Sequence, residues 1–287
     1  MSFTTGSSRW SDVWLAAAAR GTTICGEFLT ATALALALQA SGAGSLAVSG
    51  LLLAATLPLV VLAPLAGRVA DRVDSRTLLV TVGAVQSAIC LLLAYAAHPV
   101  VIVALVGLLA CGLALTQPCL AALLPAMVRR DDLPRASAVH QTAVSIGALG
   151  GPVLAGLLVG GFGTRMPLLL NAASYLALVA AGLLLRTRRG GRPTAPPAGA
   201  AAAAVPVWKL RQDPLMLAMV VTTAAVITAI GGINVIEVFF IRETLHASAT
   251  VYGLVGAAWM AGMLPGDRKS TRQNSSHYRE SRMPSSA

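Results

Sequence analysis

The chain is short of charge. Asp, Glu, Lys and Arg make up 11% of its 287 residues, where soluble domains carry about 25%, and that scarcity excludes water as its main solvent. Aromatics are also few, at 5%. Lysine is nearly absent, since only Lys209 and Lys269 join nineteen arginines. The four cysteines, Cys25, Cys90, Cys111 and Cys119, all fall in apolar stretches without metal-ligand spacing. They are expected as small buried hydrophobes, not as a zinc site or disulfides. His98, His140 and His246 form no cluster, so no metal is expected. No phosphate-binding glycine loop occurs, and no Ser/His/Asp grouping can be assembled at membrane depth. Neither an enzyme activity nor a cofactor is therefore expected. A cleavable leader is also missing, because residues 1–10 are polar and the first apolar stretch ends without a small-residue cleavage pattern.

What the chain has instead is apolar length. It is 56% hydrophobic, and about 20 apolar residues cross a bilayer at 1.5 Å per residue. Six spans are predicted before a polar break: Val13 to Gln39, Leu46 to Ala66, Thr77 to Ala97, Val100 to Leu124, Ala138 to Val159 and Pro167 to Leu185. Alternate connections are basic. Arg9, Arg68, Arg72, Arg76, Arg129, Arg130, Arg135, Arg186, Arg188, Arg189, Arg192, Lys209 and Arg211 gather on one side, against Arg165 and Arg242 on the other. The formal charge of +10 is thus read as positive-inside topology, with no nucleic-acid partner. A multi-pass protein of the bacterial cytoplasmic membrane follows, with its N-terminus in the cytoplasm.

The stretch 186–214 is rich in Pro and Ala and reads as a cytoplasmic linker. It separates a six-helix half, 1–185, from an incomplete second half, 215–265. In that second half Leu215 to Phe240 makes a seventh span and Val251 to Leu264 begins an eighth too short to cross. From Gly266 to Ala287 the composition turns abruptly polar. This tail is similar to adapter or vector read-through and is read as non-native, the alternative being a disordered terminus. A weak repeat supports two halves: Leu38-Gln39-Ala40-Ser41 returns as Leu245-His246-Ala247-Ser248, and Gly50-Leu51 as Gly253-Leu254.

Between spans two and three lies Gly67-Arg68-Val69-Ala70-Asp71-Arg72-Val73-Asp74-Ser75-Arg76. It resembles motif A of the major facilitator superfamily, with Asp74 where that pattern usually has Gly. The resemblance implies a cytoplasmic gate formed by Gly67, Asp71, Arg72 and Arg76. Gly67 would allow a tight turn or close packing, and the charges would pair across the closed cytoplasmic side. An ordinary basic loop explains the arginines but not Gly67 with Asp71.

In span five, Gly147-Ala148-Leu149-Gly150-Gly151-Pro152-Val153-Leu154-Ala155-Gly156 resembles motif C of the superfamily's export branch, with Ala155 replacing one Gly. Gly147, Gly151, Pro152 and Gly156 are its candidate residues, because small residues four apart let helices approach closely. Generic small-residue packing is the alternative. Pro118 to Val128 also looks like that branch, which holds enterobactin-type siderophore exporters and macrolide efflux proteins. The family's arginine in span four is absent, since Val100 to Leu124 carries no charge.

An ionised group near the bilayer centre costs about 2.5 to 3.5 kcal/mol on insertion scales and so tends to face an interior cavity. Glu27 sits near the middle of span one, with Arg20 seven residues earlier. The separation along the axis, about 10 Å, is too long for a direct pair unless Arg20 stretches or water bridges the two. Glu27 is a candidate for proton exchange or for meeting a cationic substrate; a structural acid held by a partner helix is the alternative. Asn234 and Glu237, after Gly231-Gly232 in span seven, are further candidates, and Glu237 has an interfacial reading as well. Gln86, Gln117, Gln141 and Asn171 either line a cavity or join helices.

The resemblance therefore implies an all-α polytopic membrane protein of the major facilitator type: a six-helix bundle plus about one and a half helices of a second. It implies a secondary active transporter that exports drugs or siderophores by proton antiport and alternating access, a monomer at full length. An uptake permease of the same fold and a non-transporting scaffold or sensor are the alternatives. The expected partners are a small-molecule substrate, protons and the lipid bilayer.

Overall fold

A computed structural model describes residues 7–42, 44–187, 189, 214–259 and 261–262. Every described element is helical, and among the described residues six helices are long and apolar enough to cross a membrane. The elements are α1 (Trp10–Ala40), α2 (Gly44–Val61), α3 (Ala63–Arg72), α4 (Ser75–Tyr95), α5 (Pro99–Met127), α6 (Leu133–Phe162), α7 (Arg165–Leu184) and α8 (Pro214–Phe239). A short apolar helix, α9 (Ala249–Trp259), follows. Most of the expected linker 186–214, and all of the expected tail 266–287, lie outside the described residues.

The chain punctuates these helices with the residues that helix ends require. α1 closes at Gly42, whose φ of +69° suits glycine, and the Gly42 amide donates to the Gln39 carbonyl at 3.2 Å. Asp74 caps α4 by accepting from the Thr77 amide at 3.3 Å. Its presence where the family pattern has Gly thus has a local reason. Proline opens α3, α5 and α6 in the first turn, where its missing N–H costs nothing.

One expected span is corrected. Leu46 to Ala66 is not a single helix, because the chain breaks at Leu62 between α2 and α3. Pro64 cannot donate back to the Val60 carbonyl, which removes one rung at this point. The interhelix connection then lies at Val73, which is extended, and Asp74, at φ −59° and ψ 127°. The segment expected as a loop, Gly67 to Arg72, is therefore helical. Gly67 makes no turn, and a Cβ placed there would meet nothing within 4 Å, so neither role expected of this glycine is seen.

α1 is the central post of the bundle. Seventeen of its 31 residues are buried, whereas α2 buries only Val48 and Leu51. α1 packs mainly against α6 and α7, α7 against α4, and α5 against α2 and α4. The basic end of the bundle is knitted by polar bonds. Asp12, buried in the first turn of α1, accepts from the Thr187 amide at 2.9 Å and from its hydroxyl at 2.6 Å. Ser75 donates its amide to the Arg189 carbonyl at 2.8 Å, and the Arg189 amide returns a bond to Ser75 Oγ at 3.1 Å. Arg9 donates to the Met127 carbonyl at 2.9 Å, and Arg135 lies over the Trp10 ring at 5.0 Å.

Candidate functional site

Glu27 and Arg20 meet directly. Arg20 Nη1 lies 3.1 Å from Glu27 Oε1, with the side chains 10% and 20% exposed. The gap that looked too long in sequence is closed from both ends. Helical side chains lean toward the N-terminus, which brings the Glu27 carboxylate back along α1. The long arginine then extends forward to meet it. Seven residues is nearly two turns, so both groups share one face.

Beside this pair is a small cavity of about 110 Å³, lined by Glu27, Asn171 and Tyr175 among apolar side chains of α1, α2 and α5. Asn171 is almost fully buried. Its Nδ2 donates to Thr30 Oγ1 at 2.7 Å and to Cys90 Sγ at 3.4 Å, while Ser174 Oγ donates to its Oδ1 at 2.9 Å. It thereby both lines the cavity and ties α7 to α1 and α4. The approach depends on Gly26, where an added Cβ would stand 2.1 Å from Asn171 Oδ1. Gln86 is different: its Nε2 donates to the Leu109 carbonyl at 3.2 Å, but its buried Oε1 has no partner among the described residues. Gln117 and Gln141 are exposed.

A second, larger cavity of about 420 Å³ lies between the six spans and α8 and α9. Asn234 and Glu237 line it from α8, Phe28 and Thr32 from α1, and Tyr252 and Trp259 from α9. Ala31 and Leu52 line both cavities, so only one layer of small and apolar side chains separates Glu27 from the space that holds Glu237.

α6 packs closely against α1 on one side and α9 on the other. A Cβ on Gly147 would stand 2.2 Å from the Gly21 carbonyl oxygen, and one on Gly151 would meet Phe28 and the Cys25 carbonyl at 2.5 and 2.9 Å. α6 therefore runs backbone to backbone along α1. Five residues beyond Gly151 it turns the same kind of face to α9: a Cβ on Gly156 would meet the Ala249 carbonyl at 2.8 Å, and one on Gly253 would meet the Pro152 carbonyl at 2.3 Å. Gly150, by contrast, faces open space. Pro152 itself lines the larger cavity.

At the basic end, Arg72 closes α3 and is exposed, and Arg76 opens α4 and is half-buried. Neither has a hydrogen-bond or ion-pair partner among the described residues. Asp71 belongs to the last turn of α3. At the opposite end a π-helical turn, Phe240–Thr244, follows α8. Its Glu243 accepts from Gln39 Nε2, at the end of α1, at 3.2 Å.

Several of these residues had no signal in the sequence. Thr187 lies 175 residues from Asp12, and an Asp in a first turn reads simply as a match to the helix dipole. Tyr175 and Ser174 could have been found from their spacing with Asn171, since i, i+3 and i+4 positions share a face. A family model described as Major Facilitator Superfamily matches residues 16–281. Among curated proteins no relative matches the chain.

Proposed function

The chain belongs to the major facilitator superfamily, and on that premise we propose that this secondary transporter exports small organic molecules, drugs or siderophores, by proton antiport. It would do so across the bacterial cytoplasmic membrane, with its basic end and N-terminus in the cytoplasm. Residues 1–185 and 215–265 would belong to two halves, joined by 186–214, that rock around the cavities to give alternating access.

The observation that carries this reading is the Arg20–Glu27 pair, 3.1 Å apart near the middle of the most buried helix and bordering a cavity. A carboxylate kept there needs either a cation or a proton, so loss of one and gain of the other are coupled events. The arginine that related proteins place in span four is missing here, and Arg20 supplies the positive partner from the same helix as the acid. The contacts of Gly147 and Gly151 with α1, and of Pro152 and Gly156 with α9, support an exporter reading. On this reading α6 would be one surface on which the halves slide, and Pro152, which cannot donate to the helix ladder, lies on it. Arg72 and Arg76 lie on either side of the connection between α3 and α4 and have no partner among the described residues. With Asp71 they would form the cytoplasmic gate, which pairs only when that side closes.

Everted membrane vesicles test the proposal. Acidifying the lumen should drive accumulation of an exported dye or catechol siderophore in vesicles that carry the chain. Glu27→Gln should abolish that dependence while leaving membrane insertion intact. Accumulation unaffected by Glu27→Gln would remove Glu27 from the coupling, and uptake in the opposite direction would point to a permease.

A further inference from the structure

We infer that the larger cavity takes amphipathic organic cations, with Glu237 as the residue that recognises their charge. The inference rests on the export reading above and deepens it, because it assigns the substrate's charge to a different acid from the one assigned to coupling.

Glu27 is already satisfied by Arg20 at 3.1 Å and borders the smaller cavity of about 110 Å³. Glu237 faces the larger one, of about 420 Å³, a volume in the range of small-ligand pockets. Among the described residues no Arg, Lys or His lines that cavity. Glu237 also has no hydrogen-bond or ion-pair partner among the described residues. A carboxylate facing apolar walls without a counter-charge is costly, so the site favours a ligand that brings the positive charge with it.

The rest of the lining fits such a ligand. Phe28, Tyr252 and Trp259 stand around the cavity, three of the 13 aromatics of a chain otherwise poor in them. Aromatic faces attract a delocalised or quaternary cation and also pack on its apolar body. Asn234, one turn from Glu237, adds a donor and an acceptor but no charge. An organic anion would meet the carboxylate with nothing to offset it.

A matched pair of ions tests this. Tetraphenylphosphonium and tetraphenylborate have the same shape and opposite charge. With the chain in lipid nanodiscs and no gradient, radiolabelled tetraphenylphosphonium should bind saturably, and tetraphenylborate should not displace it. Glu237→Gln should weaken binding by about tenfold or more, and Glu237→Asp should largely restore it. Equal competition by the two ions, or wild-type affinity in Glu237→Gln, would overturn the inference. Should Glu237→Gln fail to fold, the wild-type chain decides. Dicyclohexylcarbodiimide modification of Glu237, read by mass spectrometry, should be blocked by tetraphenylphosphonium alone, and equal modification with either ion contradicts the proposal. Because binding is read without a gradient, loss of charge selectivity sinks this inference and leaves proton-driven export standing. Selective binding without gradient-driven transport does the reverse.

Discussion

Two buried amides that look alike in the sequence do different work in the bundle. Asn171 is bonded to Thr30, Cys90 and Ser174, so Asn171→Leu strips partners from three helices. The expected loss is about 1 to 2 kcal/mol, tempered by the weak hydrogen bonds usual between membrane helices. It would be read as a lower melting temperature in detergent. Gln86 carries an unpartnered Oε1, and Gln86→Leu also removes that buried acceptor. The change should leave the melting temperature within about 0.5 kcal/mol of equivalent stability, or raise it. The sequence placed both residues inside spans but held nothing to separate them, since partners 81 and 141 residues away decide the outcome. For Arg20 and Glu27 the depth and shared face were legible from spacing alone. Their contact was not, because it depends on the lean of side chains along the helix.

At the scale of helices, hydropathy located six spans to within a few residues, because apolar length is a strong and local signal. It failed where one residue interrupts the backbone ladder. Pro64 breaks the second span at Leu62 and leaves Gly67 to Arg72 helical, a consequence that an average over twenty residues hides. The glycine pattern of α6 was legible as close packing, but not as two separate faces against α1 and α9. Neighbouring glycines supply the check. Gly151→Ala would push a methyl to 2.5 Å from Phe28 Cβ, whereas Gly150→Ala enters open space. The first should cost about 1 to 3 kcal/mol by overpacking and lower the yield of folded protein, and the second should behave as wild type. Equal melting temperatures for the two variants would remove the α1–α6 contact from the account.

In the whole molecule the contacts that α8 and α9 make with the six spans cluster away from the basic end. Gln39 meets Glu243, Gly156 meets Ala249 and Gly253, and Thr250 Oγ1 donates to the Gly156 carbonyl at 3.4 Å. The stretch of α8 nearer its start, with Leu217, Met219 and Val221, is exposed. The sequence announced the class of protein through charge scarcity and loop arginines, while the pairing of two cavities across Ala31 and Leu52 required coordinates. The central claim, proton antiport, is tested most directly by proton flux in reconstituted vesicles held at zero membrane potential. When a cationic dye or a catechol siderophore is added to one side, protons should move toward that side, and Glu27→Gln should abolish the movement. Protons moving away from the added substrate, or substrate transport with no proton movement, would contradict the account.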